Sequence, residues 1–498
     1  MRRLDAWPAA SVGALLVLLA VSAFLRTRAL DASLWIDEGI SAGIASHPSG
    51  EIPGLLGQDG SPPAYYLLLH AWTEVAGTSE AALRAPSLAF ALLTIPAALW
   101  AGRSLFGRTA GWICAAVAAV LPFLTVQAQE ARMYALVALL SVMATATFLH
   151  AFVFGRRRYV PVFALLLALL LYTHYWALFL ALGWLAALVA LLAWAPPQAR
   201  RRLGAEAVLA FGFAGLLFAP WLPTLAFQIE HTGAPWSSSP PAAAVVAACA
   251  LAAGGVVVSR LGADARERDA FRSLSLVAAV TLAAGWAVAL VEPAWAGRYL
   301  AVLVGPLLLL AGAALARVGP LGVVAAAAIS CAWLLNAGPS AKTNVAGASA
   351  AVAAGLQRGD LVVSTQPEQV PVLAHYLPGG LRYATPLGPV ADPTVMDWRN
   401  ALPRLESTEP ADALVPLLDS LPPGGQILLV APDVEDAGRW RAPWTRLVAE
   451  RSDEWALVLD ADERFRPVRD TAPPARTAKT SVRMTLYTKT SPEARGRW

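Results

Sequence analysis

Leu34-Trp35-Ile36-Asp37-Glu38 follows the first apolar run of the chain, and its two adjacent carboxylates decide how the rest is read. Carboxylates are expensive inside a bilayer, so a membrane helix has to end just ahead of this pair. Gln58-Asp59-Gly60-Ser61-Pro62-Pro63-Ala64-Tyr65-Tyr66 comes next, joining a turn, two prolines that fix the backbone and an aromatic pair that opens a helix.

Working outward, 57% hydrophobic against 14% charged residues in a chain of 498 describes a polytopic membrane protein and not a soluble one. The net charge of +4 is small, and its arginines lie in short clusters between apolar runs, which marks topology and excludes nucleic acid as a partner. Cys114, Cys249 and Cys331 are far apart inside apolar runs and read as packing residues, without zinc spacing or a disulfide framework. Met1-Arg2-Arg3 and the apolar run after it read as an uncleaved first helix, because many further runs follow.

A hydrocarbon core of about 30 Å takes about 20 apolar residues in a helix, which predicts about eleven spans. They fall near 8–25, 83–102, 110–126, 134–154, 160–176, 177–195, 205–223, 241–259, 273–291, 299–316 and 318–336. The run across 160–195 is too long for one crossing and divides at Thr173-His174-Tyr175-Trp176. If the spans alternate, Arg2 and Arg3, Arg103 and Arg108, Arg156 to Arg158, Arg200 to Arg202, the Arg260 to Arg272 segment and Arg317 share one side. That side is expected to be the cytoplasm. The acidic pair, Gln129-Glu130-Ala131-Arg132-Met133-Tyr134 and Trp295 to Tyr299 then face outward in a plasma-membrane protein with a cytoplasmic N-terminus.

The last third changes character, with more charge and proline and apolar runs of strand length. The expected division is a membrane domain over 1–340, with a first outer loop over about 26–83, and an extracytoplasmic soluble α/β domain over 341–498. Leu361 to Thr365, Gln426 to Val430 and Ser481 to Lys489 read as strands; Ala348 to Gln357, Pro367 to Tyr376 and Ala411 to Leu421 read as helices. No glycine fingerprint or catalytic triad stands out in that domain.

The first outer loop is too long for a simple turn, and long ordered loops are usually functional. Ile40 to Ala45 and Ile52 to Leu56 suit short interfacial helices, with Trp35 as an anchor. Asp-Glu after the first span, Pro62-Pro63-Ala64-Tyr65-Tyr66, Arg84-Ala85-Pro86-Ser87 opening the second span, Gln129 to Tyr134 after the third, and Arg298-Tyr299-Leu300 with Pro306 together resemble the GT-C glycosyltransferases. The branch they look like contains the protein O-mannosyltransferases and aminoarabinose transferases, and the resemblance covers most of the first 340 residues. It implies a polytopic GT-C-like fold and an inverting hexosyl or pentosyl transfer, mannosyltransferase-like, from a polyprenyl-phosphate sugar to an acceptor hydroxyl at the extracytoplasmic face. The bilayer, that donor and a glycan, lipid or protein acceptor are the implied partners. No cofactor or metal site is implied; some GT-C branches use a divalent cation, but those resembling this chain generally do not.

Carried onto this sequence, Asp37 is the general base and Glu38 its catalytic partner. A carboxylate in reach of an alcohol removes its proton as attack proceeds, while guanidinium groups suit the phosphate charge that grows as the lipid leaves. Arg132, Arg298, Tyr299 and Ser61 are therefore assigned to the donor phosphate and lipid. Asp59, Tyr65, Tyr66, Glu130, Tyr134, His174 and Tyr175 are assigned to the substrate cavity. Ser61 departs from the better-known relatives, which carry Lys or His before Pro-Pro, so one expected phosphate contact is missing.

Plainer readings stand beside these. Arg132 could form a structural ion pair with Glu130 or a neighbour, Arg298 could snorkel, Ser61 could cap a helix, and His174-Tyr175-Trp176 could belong to an interfacial belt. His231, Trp236 and Ser237 to Ser239 suit an ordinary loop, and His70 with Glu74 is a weak metal signal. A transporter of lipid-linked sugars would place its charges near the bilayer midplane, and a non-catalytic envelope scaffold would give no product from any polyprenyl-phosphate sugar and have no lipid-shaped cavity beside Asp37.

Overall fold

The computed structural model describes residues 9–237, 239–292, 294–335, 342–433, 442–471 and 480–490. Arg2, Arg3 and the expected boundary at 340/341 lie outside them.

Helix α1 (Ala9–Arg26) leads into three short helices, α2 (Ile36–Ala45), α3 (Ile52–Asp59) and α4 (Ala64–Ala76), which fill the first loop. Next come α5 (Glu80–Phe106), α6 (Arg108–Val120), α7 (Pro122–Gln127), α8 (Tyr134–Phe148), α9 (Val160–Leu171) and α10 (Ala177–Trp194). They are followed by α11 (Pro197–Phe218), α12 (Leu222–His231), α13 (Ala242–Ser259), α14 (Ala265–Val291), α15 (Val304–Arg317) and α16 (Pro320–Leu335). The apolar runs expected to span fall on these helices, except that the run at 110–126 is broken at Leu121 into α6 and α7. Among the described residues, 7 helical stretches are long and apolar enough to cross a membrane, and α6, most of α10 and α16 are shorter apolar helices. Leu16, Val208 and Leu321 stand exposed on outward faces, as apolar residues of membrane helices do. The long run between α9 and α10 is broken at Tyr172 to Trp176.

Local chemistry fixes the helix ends. Ser79 accepts from the Ala82 N–H at 3.3 Å to start α5, and Asp264 accepts from the Glu267 N–H at 2.8 Å to start α14. Gly60 ends α3 at φ 90°, a left-handed turn that favours glycine. Ser141 on α8 donates to Val302 O (2.5 Å) and accepts from the Gly305 N–H (3.1 Å). This bond pins the start of α15, and hence Arg298 just before it, against α8.

The soluble part runs α17 (Val345–Ala353), β1 (Leu361–Ser364), α18 (Val370–Tyr376), β2 (Arg382–Thr385), β3 (Gly388–Val390), α19 (Ala401–Glu406), α20 (Pro410–Ala413) and α21 (Val415–Ser420). It ends with β4 (Gln426–Pro432), α22 (Pro443–Ala461), β5 (Phe465–Asp470) and β6 (Val482–Lys489). The sheet order is β3-β2-β1-β4-β6-β5, with β1 parallel to both its neighbours and buried along its whole length. The helix expected at Ala348 to Gln357 lies earlier, and the one at Ala411 to Leu421 is split in two where Pro416 enters the first turn of α21.

This domain rests on the first loop. Gly39 lets Val372 of α18 approach so closely that a Cβ would stand 2.7 Å from its backbone. Tyr376 Oη accepts from the Leu34 N–H (2.8 Å) and donates to Glu80 (2.9 Å), while the Trp398 N–H donates to Gln58 O (3.0 Å).

Candidate active site

Helix α2 starts at Ile36, so Asp37 and Glu38 occupy its first turn, where the helix dipole favours carboxylates. They serve opposite purposes. Glu38 is fully buried and takes a two-pronged grip from Arg84, Nε to Oε1 at 2.7 Å and Nη2 to Oε2 at 2.6 Å. Its Oε1 also accepts from the Ala131 N–H (2.8 Å) and its Oε2 from the Trp35 N–H (3.3 Å). Arg84 in turn donates to the carbonyls of Ala29, Leu30, Ala32 and Ser33. Both Glu38 oxygens are engaged by the protein, so Glu38 holds α2, the end of the first loop segment and the 129–133 loop together.

Asp37 is the free-standing carboxylate. Its Oδ2 lies 3.2 Å from Arg298 Nη2 and 4.0 Å from Arg132 Nε, yet it accepts a hydrogen bond from neither and is buried. Arg132 is aimed by other contacts: its Nη1 donates to Asp37 O (3.3 Å), Ser41 Oγ (3.1 Å) and Tyr66 Oη (3.2 Å). Its Nε has no partner. Arg298 donates from Nε to Tyr134 Oη (3.0 Å) and lies over the rings of Trp236 (4.8 Å), Trp35 (5.7 Å) and Tyr299 (5.8 Å). The structure thus brings Asp37, Arg132, Arg298, Tyr66, Tyr134 and Tyr299 to one place.

Other expected residues stand one step back. Tyr66 Oη donates to Asp59 (3.3 Å), and Ser61 lies close enough to act on the same carboxyl. Burial raises the Asp59 carboxyl above its usual range, against the opposing pull of Arg132. Ser61 caps no helix, since α4 begins at Ala64 after Pro63. Tyr65 is spent on Ser87 (3.3 Å), which supports the Arg132 carbonyl (3.0 Å). The Tyr175 hydroxyl donates to Gln228 and accepts from Trp221 Nε1 (2.8 Å). Gln228 then donates to Leu56 O (2.8 Å) and Ser61 O (3.3 Å), so Tyr175 braces the first loop through Gln228. Glu130 pairs with Lys342 and not with Arg132. His70 bonds Ala45 O, and among the described residues no three His, Cys, Asp or Glu gather as a metal site.

His174, in the turn before α10, packs against Tyr299 (4.9 Å) and Tyr134 (5.5 Å). Its Nδ1 accepts from the Trp176 N–H (3.1 Å), which leaves the hydrogen of a neutral ring on Nε2. Burial, with Arg132 and Arg298 nearby, pushes its pKa from 6.5 down to about 3. Between those values the unfolded chain holds a proton that the folded chain does not, so stability falls as pH drops through 6.5 toward 3. Melting curves from pH 7 to 4 should therefore show the wild type losing more stability than His174→Gln; parallel curves would contradict a neutral buried His174.

Arg84 was legible as a motif residue without a role, Trp35 only as an anchor and Trp236 only as loop. Lys342 carries no local signal: its partner is far away in sequence, and only the fold brings them together.

No protein-family model matches the chain, and no curated protein matches it in sequence. Solved structures do match. ArnT from Cupriavidus metallidurans in the apo state aligns over 96% of this chain and 98% of its own, at TM-score 0.63 and 16% identity. The oligosaccharyltransferase AglB from Archaeoglobus fulgidus, in complex with an inhibitory peptide and a dolichol-phosphate, aligns over 93% of this chain and 73% of its own, at TM-score 0.52 and 12% identity. With its spanning helices and its C-terminal sheet, the chain is a multi-pass membrane protein with the GT-C fold.

Proposed function

We propose that the protein is a membrane glycosyltransferase that moves a sugar from a polyprenyl-phosphate donor to an acceptor hydroxyl at the extracytoplasmic face, with inversion. The observation that carries this reading is Asp37 Oδ2, buried between two guanidinium groups and hydrogen-bonded to neither. AglB, which shares the fold, is described with a dolichol-phosphate, and that supports a lipid phosphate as the ligand of Arg132 and Arg298.

In this reading the donor phosphate competes with Asp37 for the same two arginines. As they turn to the phosphate, the carboxylate is released to face the acceptor. The acceptor oxygen attacks the anomeric carbon, the bond from that carbon to the phosphate oxygen breaks, and the acceptor's proton passes to Asp37. The leaving lipid phosphate keeps the electron pair and is held by Arg298 and Arg132. Tyr134 and Tyr66 keep the two guanidinium groups aimed, and neutral His174 adds an N–H donor beside them. No cofactor beyond the lipid-linked donor enters this scheme. A transporter is disfavoured because the charged cluster sits in loops and at helix starts, not in the middle of interrupted spans.

Deleting the gene should remove one sugar increment from an envelope glycan, lipid or glycoprotein and leave polyprenyl-phosphate sugar accumulating. Mass analysis of both fractions reads the result, and unchanged masses in both would sink the reading.

A further inference from the structure

Two cations share the indole of Trp35. Lys342 Nζ lies 4.6 Å and Arg298 Cζ 5.7 Å from its ring centre, and the Trp35 Nε1–H is buried without a partner. Lys342 comes from the other domain: its carbonyl accepts from Thr480 N (3.2 Å) and Oγ1 (2.8 Å), next to the start of β6. Its side chain crosses to the membrane domain and pairs with buried Glu130, two residues from Arg132. A cavity of about 80 Å³ opens there, lined by Lys342, Gln129, Arg84 and Ser33, and Gln129 Oε1 is also unpartnered.

We propose that Lys342 is a third cation for the donor's phosphate, delivered by the C-terminal domain and held in reserve by Glu130 until the lipid phosphate arrives. The proposal rests on the reading of the chain as a polyprenyl-phosphate enzyme. Three donors around one ring, two of them charged and one unpartnered, suit an anion. Ser61, beside the prolines of the first loop, offers only a neutral hydroxyl, and Lys342 supplies a cation from a different part of the chain. Its fixed backbone and flexible four-carbon stem let the ammonium swing while the domain stays in place. Burial already raises the Glu130 carboxyl, against the pull of Lys342. Without Lys342 the lowering pull is gone and burial acts unopposed on Glu130, which favours its neutral form.

The two halves of this ion pair separate the proposal from a structural role. A merely structural pair loses the same thing whichever partner is removed, whereas a reserved substrate cation gives opposite signs. Binding of undecaprenyl phosphate to the full chain in detergent micelles, with melting curves alongside, provides the readout. Lys342→Ala should weaken binding about tenfold or more, Lys342→Arg should keep most of it, and Glu130→Gln should leave it unchanged or tighten it. If Glu130→Gln weakens binding as much as Lys342→Ala, Lys342 is structural and the proposal falls. If wild type binds and Arg298→Ala weakens binding while Lys342→Ala does not, the proposal alone falls. If wild type binds no undecaprenyl phosphate, the functional reading itself fails and takes this one with it.

Discussion

Asp37→Asn is expected to cut sugar transfer by about 10²- to 10⁴-fold, the usual range for losing a general base, while lipid-phosphate binding stays intact or tightens. The asparagine is nearly isosteric and cannot take the acceptor's proton. It also no longer competes for Arg298 at 3.2 Å and Arg132 at 4.0 Å, so both guanidinium groups are left to the donor. Turnover and binding should move in opposite directions. Transfer assays in membranes, paired with a binding titration, test this. A near-wild-type rate would take Asp37 out of the chemistry, and a parallel loss of binding would make it a structural member of the arginine cluster.

Its neighbour should behave in the reverse way. Glu38→Gln leaves Arg84 buried with its counter-charge gone, and breaking a buried ion pair from one side typically costs about 3–5 kcal/mol. Arg84→Met should be at least as severe, because the carbonyls of Ala29, Leu30, Ala32 and Ser33 lose their donor as well. Both variants should show low yield of folded protein and a large drop in melting temperature. The fraction that does fold should retain Asp37-dependent transfer. A folded, stable Glu38→Gln protein without activity would place Glu38 in the chemistry.

The membrane helices were legible because a bilayer demands long apolar runs, and such runs are visible without partners. Even the interruption at Tyr172 to Trp176 followed from length alone. The soluble domain was read where strands are buried on both faces, as in β1 and the core of β4. β5, Phe465–Asp470, was missed because only Phe465 is buried and the rest looks like a charged loop. α22 is not among the helices read from the sequence, although Trp444, Val448, Ser452, Trp455 and Leu459 repeat on one helical face. For the site, residue type pointed to Asp37, Arg132 and Arg298, whose chemistry is unusual in a charge-poor chain. It could not separate Asp37 from Glu38, because adjacent carboxylates differ only in what the fold aims at them. Nor could it show the brace through Tyr175, whose partner Gln228 lies on a helix the sequence does not link to it.

Helix α2 is held between α4 of the membrane part and α18 of the soluble part, with Gly39 facing Val372 and Gly43 facing Thr394. The carboxylate is therefore mounted on a joint and not on either body. A chain cut after the last span would keep every membrane helix and still leave the apolar side of this joint bare. The two parts of the gene are in that sense not interchangeable cassettes: substitutions at Val372 or Thr394, in the soluble part, act on the helix that carries Asp37.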